Sequence, residues 1–256
     1  MRHSEIAVAY GRVDVVGNAS DCAEGSTINL AIRGPNPTKE GGMAAWVRAT
    51  PIEGGDNKLQ IEGIRRIFDP NIKPDYDDPF LPIWRILDFA EADGVQLDLA
   101  TTIPPKSGLG GSTATLVAAL YALTKLLGKE WNPYVGAEAA QRADLRPGQV
   151  QGYQDPYASV FGGINFFDFS GKRIGRSMTG EGGVFDEPFA TVESIAEEVW
   201  RALGVEILVA IPEGLDRISG DVNARVARRY LDWDEKTVEQ MKRKAELARS
   251  AKDCLI

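Results

Sequence analysis

Pro104-Pro105-Lys106-Ser107-Gly108-Leu109-Gly110-Gly111-Ser112-Thr113-Ala114 joins two stretches of different period. Before it, Val95-Gln96-Leu97-Asp98-Leu99 alternates apolar and polar residues, the period of a half-buried strand, and Ile103-Pro104-Pro105 ends that pattern. After it, an apolar run from about Ala114 to Leu127, closed by Gly128, reads as a helix. Glycines between a strand end and a helix start leave backbone N–H groups bare beside the positive end of the helix dipole, so an anion can approach closely. A tight strand-to-helix turn with no ligand is the simpler use of the same residues. No Lys follows the glycines as a Walker loop needs, and Thr113 stands where a dinucleotide fingerprint needs Gly.

Working outward, Ile6 to Val16 reads as one or two strands broken at Gly11, and Thr27 to Ile32 as another, with a polar loop from Ala19 to Ser26 between them. Asn132-Pro133 is an N-cap and N1 pair for a helix through about Asp144, broken by Arg146-Pro147-Gly148. Asp155-Pro156 repeats the cap signal before Tyr157 to Phe161, and Gly162-Gly163 stops that helix. Ile164 to Phe169 and Val205 to Ile211 read as strands, and Ile218 to Ala251 as a charged helical tail. Strands and helices mix without a steady βαβ rhythm, which favours α+β.

The 256 residues suffice for one large domain or two modest ones, and 43% apolar with 26% charged is the balance of a folded, soluble chain. A net charge of -8 argues against electrostatic nucleic-acid binding. The single histidine, His3, leaves no Ser-His-Asp triad, HExxH site or multi-histidine metal cage. Cys22 and Cys254 are isolated thiols, the usage of a reducing compartment. With no 18-residue apolar run and no signal-peptide pattern, a cytoplasmic chain without membrane partners is expected.

The glycine stretch resembles the second motif, PxxxGLGSSAA, of the GHMP kinase superfamily. Gly11-Arg12-Val13-Asp14-Val15-Val16-Gly17-Asn18-Ala19-Ser20-Asp21 is similar to the N-terminal motif around GRVNLIGEHTD. Gly152-Tyr153-Gln154-Asp155-Pro156-Tyr157-Ala158, running to Gly162-Gly163, resembles the GxQDxxAxxxGG segment of the sugar-kinase branch, which includes glucuronokinases and D-glycero-D-manno-heptose 7-phosphate kinases. The resemblance implies an α+β fold of two domains. A ribosomal S5 domain 2-like N-terminal domain would span residues 1–165 and a ferredoxin-like C-terminal domain 166–256. The third glycine-rich motif of the family has no counterpart after Gly204, where only Gly214 and Gly220 occur, so the second domain is expected to be incomplete.

As function, the resemblance implies an ATP-dependent, Mg2+-requiring kinase acting on a small sugar, at the anomeric hydroxyl of a uronic acid, hexose or heptose 7-phosphate, with room for a homodimer. A mevalonate-type kinase, or a silent nucleotide- and sugar-binding regulator, are the alternatives. By the resemblance Asp155 takes the catalytic place beside Arg12; by position alone Asp155 reads as an N-cap, and Arg12 as a surface residue on a strand edge. Pro105, Ser107, Gly108, Leu109, Gly110, Gly111, Ser112 and Thr113 would hold ATP. Lys106, outside the family pattern, is a candidate phosphate contact against a reading as solvated lysine. Asn18, Asp21, Gln154 and Tyr157 are the substrate candidates, Asp21 being otherwise a turn residue. For Mg2+ the candidates are Ser112 and Gln141, the latter in the place of a family Glu, with Glu138 and Asp144 one turn either side as substitutes, or the metal is held mainly by ATP phosphates and water.

Overall fold

A computed structural model describes residues 3–32, 43–61, 64–69, 71–145, 150–172, 187–204 and 219–255, with backbone alone for 219–223. The expected strand at Val205 to Ile211, the break at Arg146-Pro147-Gly148, and Gly214 lie outside the described residues.

Two sheets organise the chain. The first has the order β1-β4-β7-β5-β6, built from β1 (Glu5–Tyr10), β4 (Ala44–Pro51), β5 (Asn57–Ile61), β6 (Ile64–Phe68) and β7 (Val95–Thr101), and only the β5–β7 pairing is parallel. Its inward face carries small residues, Ala7, Ala9, Ala45 and Ala49, beside Val47, Leu59, Leu97 and Leu99. That lets α2 (Gly111–Leu126), itself lined by Ala114, Ala118, Ala119 and Ala122, lie close against β1 and β4. Leu120 and Leu123 of α2 are fully enclosed there, each such burial contributing about 1.5–3 kcal/mol relative to exposure. The helices α1 (Leu81–Phe89) and α3 (Pro133–Asp144) pack on α2 and on each other. The Asn132 side chain accepts from the N–H groups of Tyr134 and Val135, the cap expected for α3.

The second sheet, antiparallel throughout, has the order β2-β3-β8-β9: β2 (Arg12–Val16), β3 (Ser26–Ala31), β8 (Ile164–Asp168) and β9 (Thr191–Ile195). Both faces of β8 are covered. Ile164 and Phe166 meet Ile28, Ile195 and Ala248 on one side. On the other, Phe167, with Phe169 just beyond the strand, joins Tyr153, Tyr157 and Ala158 near or on α4 (Gln154–Phe161). β8 crosses the expected 165/166 division, so the sheet runs unbroken from N-terminal strands into the later residues.

The charged tail is two helices, α6 (Ser219–Leu231) and α7 (Glu235–Leu255), after the short α5 (Glu197–Ala202). Asp234 separates them by accepting from the backbone N–H and hydroxyl of Thr237. α7 returns to β2 and β3, while Ala224 and Ala227 of α6 join Met241 of α7 around Cys22 and Ala23. No helix among the described residues is long and apolar enough to cross a membrane.

Candidate active site

Arg12 and Asp14 lie two residues apart on β2, so their side chains share a face of the strand, and Asn29 on β3 is the register partner of Asp14. The β2 backbone also grips the glycine loop, with the N–H of Arg12 donating to the Leu109 carbonyl at 2.9 Å. Arg12 Nη1 adds a 2.9 Å bond to the Gly108 carbonyl. Beyond it Gly110 takes φ 71°, a left-handed conformation that a side chain would strain, and hands the chain to α2 with no side chain capping the helix.

α4 begins two residues earlier than an Asp155 cap before Pro156 implies, at Gln154, so Asp155 sits inside the first turn and is not the cap. The capping is done from far away. Asp21, on a short 3-10 helix (Ser20–Ala23), accepts from the N–H of Gln154 at 3.1 Å. A Cβ at residue 152 would stand 2.0 Å from Asp21 Oδ2, so only glycine lets that carboxylate reach the helix end. Burial pushes the Asp21 pKa up to about 6 against the opposing pull of the Gln154 N–H.

Freed from capping, Asp155 turns to Arg12. Nε and Nη2 of Arg12 both donate to one oxygen, Oδ1, at 2.8 and 2.5 Å. Oδ2 has no hydrogen-bond donor among the described residues and lies 3.6 Å from where a Gly110 Cβ would be. Arg12 Nη1 donates to Asp14 Oδ2 at 2.8 Å, and Asp14 Oδ1 accepts from Asn29 Nδ2. Burial works against the Arg12 charge, but Asp155 and Asp14 outweigh it and raise its pKa. For Asp14, burial dominates and lifts the carboxyl to about 7, Asp155 and Asp21 adding to the rise while Arg12 opposes it.

A cleft of about 420 Å3 opens over this network, lined by β2 from Arg12 to Val16, by Gly17 and Asn18, and by Gly108 and Leu109. Asn18, in the cleft lining, accepts from Gln154 Nε2 at 2.9 Å, so these two expected substrate residues are paired with each other, and Gln154 itself is buried. Of the loop residues, Pro105, Lys106, Gly108 and Ser112 are exposed, while Leu109 and Thr113 are buried. Ser107 Oγ is enclosed without a partner among the described residues, and Gly108 faces open space. A helix start with no side-chain cap, a hydroxyl without a partner among the described residues and an open side at Gly108 fit a phosphate group.

The metal candidates separate. Ser112 Oγ donates to Asp144 Oδ2 at 3.3 Å, so of the two substitute carboxylates it is Asp144 that stands beside it. Gln141 is turned inward, its Nε2 donating to the Gln151 carbonyl. Glu138 is 1% exposed and bound to Lys172 at 2.5 Å and to the Tyr157 hydroxyl at 2.6 Å, which commits it to the interior. Tyr157 is likewise withdrawn from any substrate, with no exposed surface and its hydroxyl held by Glu138 and the Ala190 N–H. Ser112 and Asp144 offer the hard oxygen donors that suit Mg2+.

Residues 82–163 match the family model described as the GHMP kinases N terminal domain. This segment is similar to that domain. The GHMP resemblance extends on both sides of it. "Glucuronokinase 1" of Arabidopsis thaliana is 24% identical over 97% of this chain and 68% of its own length. "D-glycero-alpha-D-manno-heptose 7-phosphate kinase" of Campylobacter jejuni is 41% identical over a shorter stretch, 28% of this chain and 22% of that protein. Among solved structures, Lactococcus lactis galactokinase complexed with galactose superposes with a TM-score of 0.60 over 99% of this chain and 70% of that one, at 14% identity. The α+β arrangement is thus that of GHMP kinase structures, whose relatives are phosphotransferases acting on alcohols.

Asp14 and Asn29 are the site residues that motif reading passed over. The Arg12-x-Asp14 spacing on a strand was the available signal, since period two places both on one face. Nothing in the sequence order marks Asn29, fifteen residues on, as their partner.

Proposed function

We propose that this chain is an ATP-dependent kinase that transfers the γ-phosphate to a sugar hydroxyl, the anomeric 1-OH of a uronic acid, hexose or heptose 7-phosphate. The observation that carries the reading is Asp155, clamped through Oδ1 by Arg12 and open at Oδ2 beside Gly110. A carboxylate held in this way beside a phosphate-binding loop has the two properties an acceptor base needs: fixed orientation and a free oxygen. The plant glucuronokinase and the heptose 7-phosphate kinase among its relatives point to the sugar.

In this reading the loop from Pro105 to Thr113 holds the nucleotide phosphates against the start of α2, and Ser112 with Asp144 holds Mg2+. Bound Mg-ATP supplies the transferable phosphoryl group. Asp155 Oδ2 accepts the acceptor hydroxyl proton, while Arg12 keeps Asp155 aimed and places positive charge beside the reacting oxygens. Asn18, which lines the cleft and is held by the buried Gln154, orients the ring through hydroxyl contacts. Asp21 serves the same site indirectly, by fixing the first turn of α4 on which Asp155 stands.

A silent binding protein is disfavoured by the Ser112–Asp144 pair, because the carboxylate missing at Gln141 is supplied three residues later. ADP release measured against glucuronic acid, galactose, glucose, a heptose 7-phosphate, mevalonate and homoserine tests the reading. Turnover with a sugar supports it. Turnover with mevalonate or homoserine alone would replace the sugar by an acid or amino alcohol, and nucleotide binding without turnover would favour the silent protein.

A further inference from the structure

The Arg12 guanidinium sits between two carboxylates. Its Nε and Nη2 go to a single oxygen of Asp155, whereas an unconstrained guanidinium–carboxylate pair favours a two-oxygen fork in which each nitrogen takes its own oxygen. What holds it off that fork is on the opposite side. Nη1 is bound to Asp14 Oδ2 and to the Gly108 carbonyl. Asp14 is in turn fixed by Asn29 Nδ2, and Asn29 Oδ1 accepts from Thr27 Oγ1 at 2.7 Å. Thr27 and Asn29 are buried on the central strand β3, and the Asp14 side chain is only 11% exposed, so the chain of bonds starts from a rigid base.

We propose that Asp14 is a positioning residue: by holding Nη1 of Arg12 it keeps the guanidinium in the side-on arrangement that occupies Asp155 Oδ1 and leaves Oδ2 open to an acceptor. The proposal deepens the kinase reading and rests on it for its consequence, but its structural content stands apart from turnover. With Asp14 shortened, the guanidinium loses its side-chain anchor opposite Asp155 and is free to rotate into the two-oxygen fork, closing Oδ2. Asn at position 14 retains an acceptor for Nη1, and its amide can donate to Asn29 Oδ1 if the Asn29 amide turns over and donates to Thr27 Oγ1. The carboxylate charge is therefore dispensable for positioning, while the acceptor oxygen is not.

The test combines guanidinium NMR with steady-state kinetics on the full chain. In the unaltered protein the Arg12 Nε–H and Nη–H signals should be separate and slow to exchange by rotation. Asp14→Ala should broaden or merge the Nη signals, and Asp14→Asn should preserve them. In kinetics, Asp14→Ala should lower kcat by about 10- to 100-fold with the KM for ATP within about threefold, since a small misplacement of a reacting group costs that much. Asp14→Asn should recover most of the rate. Arg12 signals in Asp14→Ala that match the unaltered protein would overturn the proposal whatever the rates, as would an Asp14→Asn protein as slow as Asp14→Ala. If no acceptor is turned over by the unaltered protein, the kinase reading falls, and the NMR comparison still decides the role of Asp14.

Discussion

Arg12 binds Asp155 through one carboxylate oxygen only, with Nε at 2.8 Å and Nη2 at 2.5 Å from Oδ1, and leaves Oδ2 beside Gly110. Two roles that conflict in most ion pairs, restraint and availability, are divided here between the two oxygens of one side chain.

Asp155→Asn is expected to lower kcat by about 10²- to 10⁴-fold, the range for loss of a general base. Mg-ADP affinity should change little, because the loop and Ser112 are untouched. Calorimetric binding alongside initial rates separates the two effects, and a rate near that of the unaltered protein would remove Asp155 from the chemistry.

Ser112→Ala and Asp144→Asn should each raise the Mg2+ concentration needed for half-maximal rate, since Ser112 Oγ and Asp144 Oδ2 face each other at 3.3 Å. Gln141→Ala should leave that requirement unchanged, its side chain being spent on the Gln151 carbonyl. Titration of the rate with Mg2+ at fixed ATP checks both, and the reverse order would return the metal to Gln141.

The buried carboxyls give stability a pH dependence. Asp14 and Asp21 have their folded pKa values raised, to about 7 and about 6, above the ordinary 3.8. Between pH 4 and 7 the folded chain therefore binds more protons than the unfolded chain, so the contribution to stability is complete below pH 4 and is lost as pH rises through that window. Urea unfolding should show a higher midpoint at pH 5 than at pH 8, and the difference should shrink in Asp14→Asn. A midpoint that rises from pH 5 to pH 8 in the same way for both proteins would contradict this.

Much of the frame is legible from local pattern. The alternation of Val95 to Leu99, the glycines after it and the Asn132-Pro133 pair mark β7, the loop and α3, because strand period, left-handed glycine and side-chain capping are short-range effects. What escapes is decided across long separations. Asp155-Pro156 has the form of a cap, yet Asp21, 133 positions before Gln154, does the capping, and this releases Asp155 for Arg12. Glu138 and Tyr157 carry site-like chemistry but meet Lys172 in the interior. The strands β4 to β6 were also hidden, since Ala44-Ala45 and the exposed Ile64-Arg65-Arg66-Ile67 lack clean alternation.

That interior pair can be tested by itself. Lys172→Met removes the cation from Glu138, which is 1% exposed, and breaking this buried pair should destabilise the fold by about 3–5 kcal/mol. Adding Glu138→Leu should restore part of the loss, as the unpartnered buried carboxyl is then gone. Urea unfolding of the single and double variants measures both, and strictly additive losses would show that the two side chains act independently.

Transfer from ATP to the anomeric oxygen is read by following the phosphorus. The chain is incubated with Mg-ATP and each sugar in turn, and 31P NMR watches for a new ester signal coupled to the anomeric proton. One sugar 1-phosphate should form for each ADP released, with no such signal on the same timescale from Asp155→Asn. ATP bound without ester formation from any sugar, or an ester formed equally fast by Asp155→Asn, would contradict it.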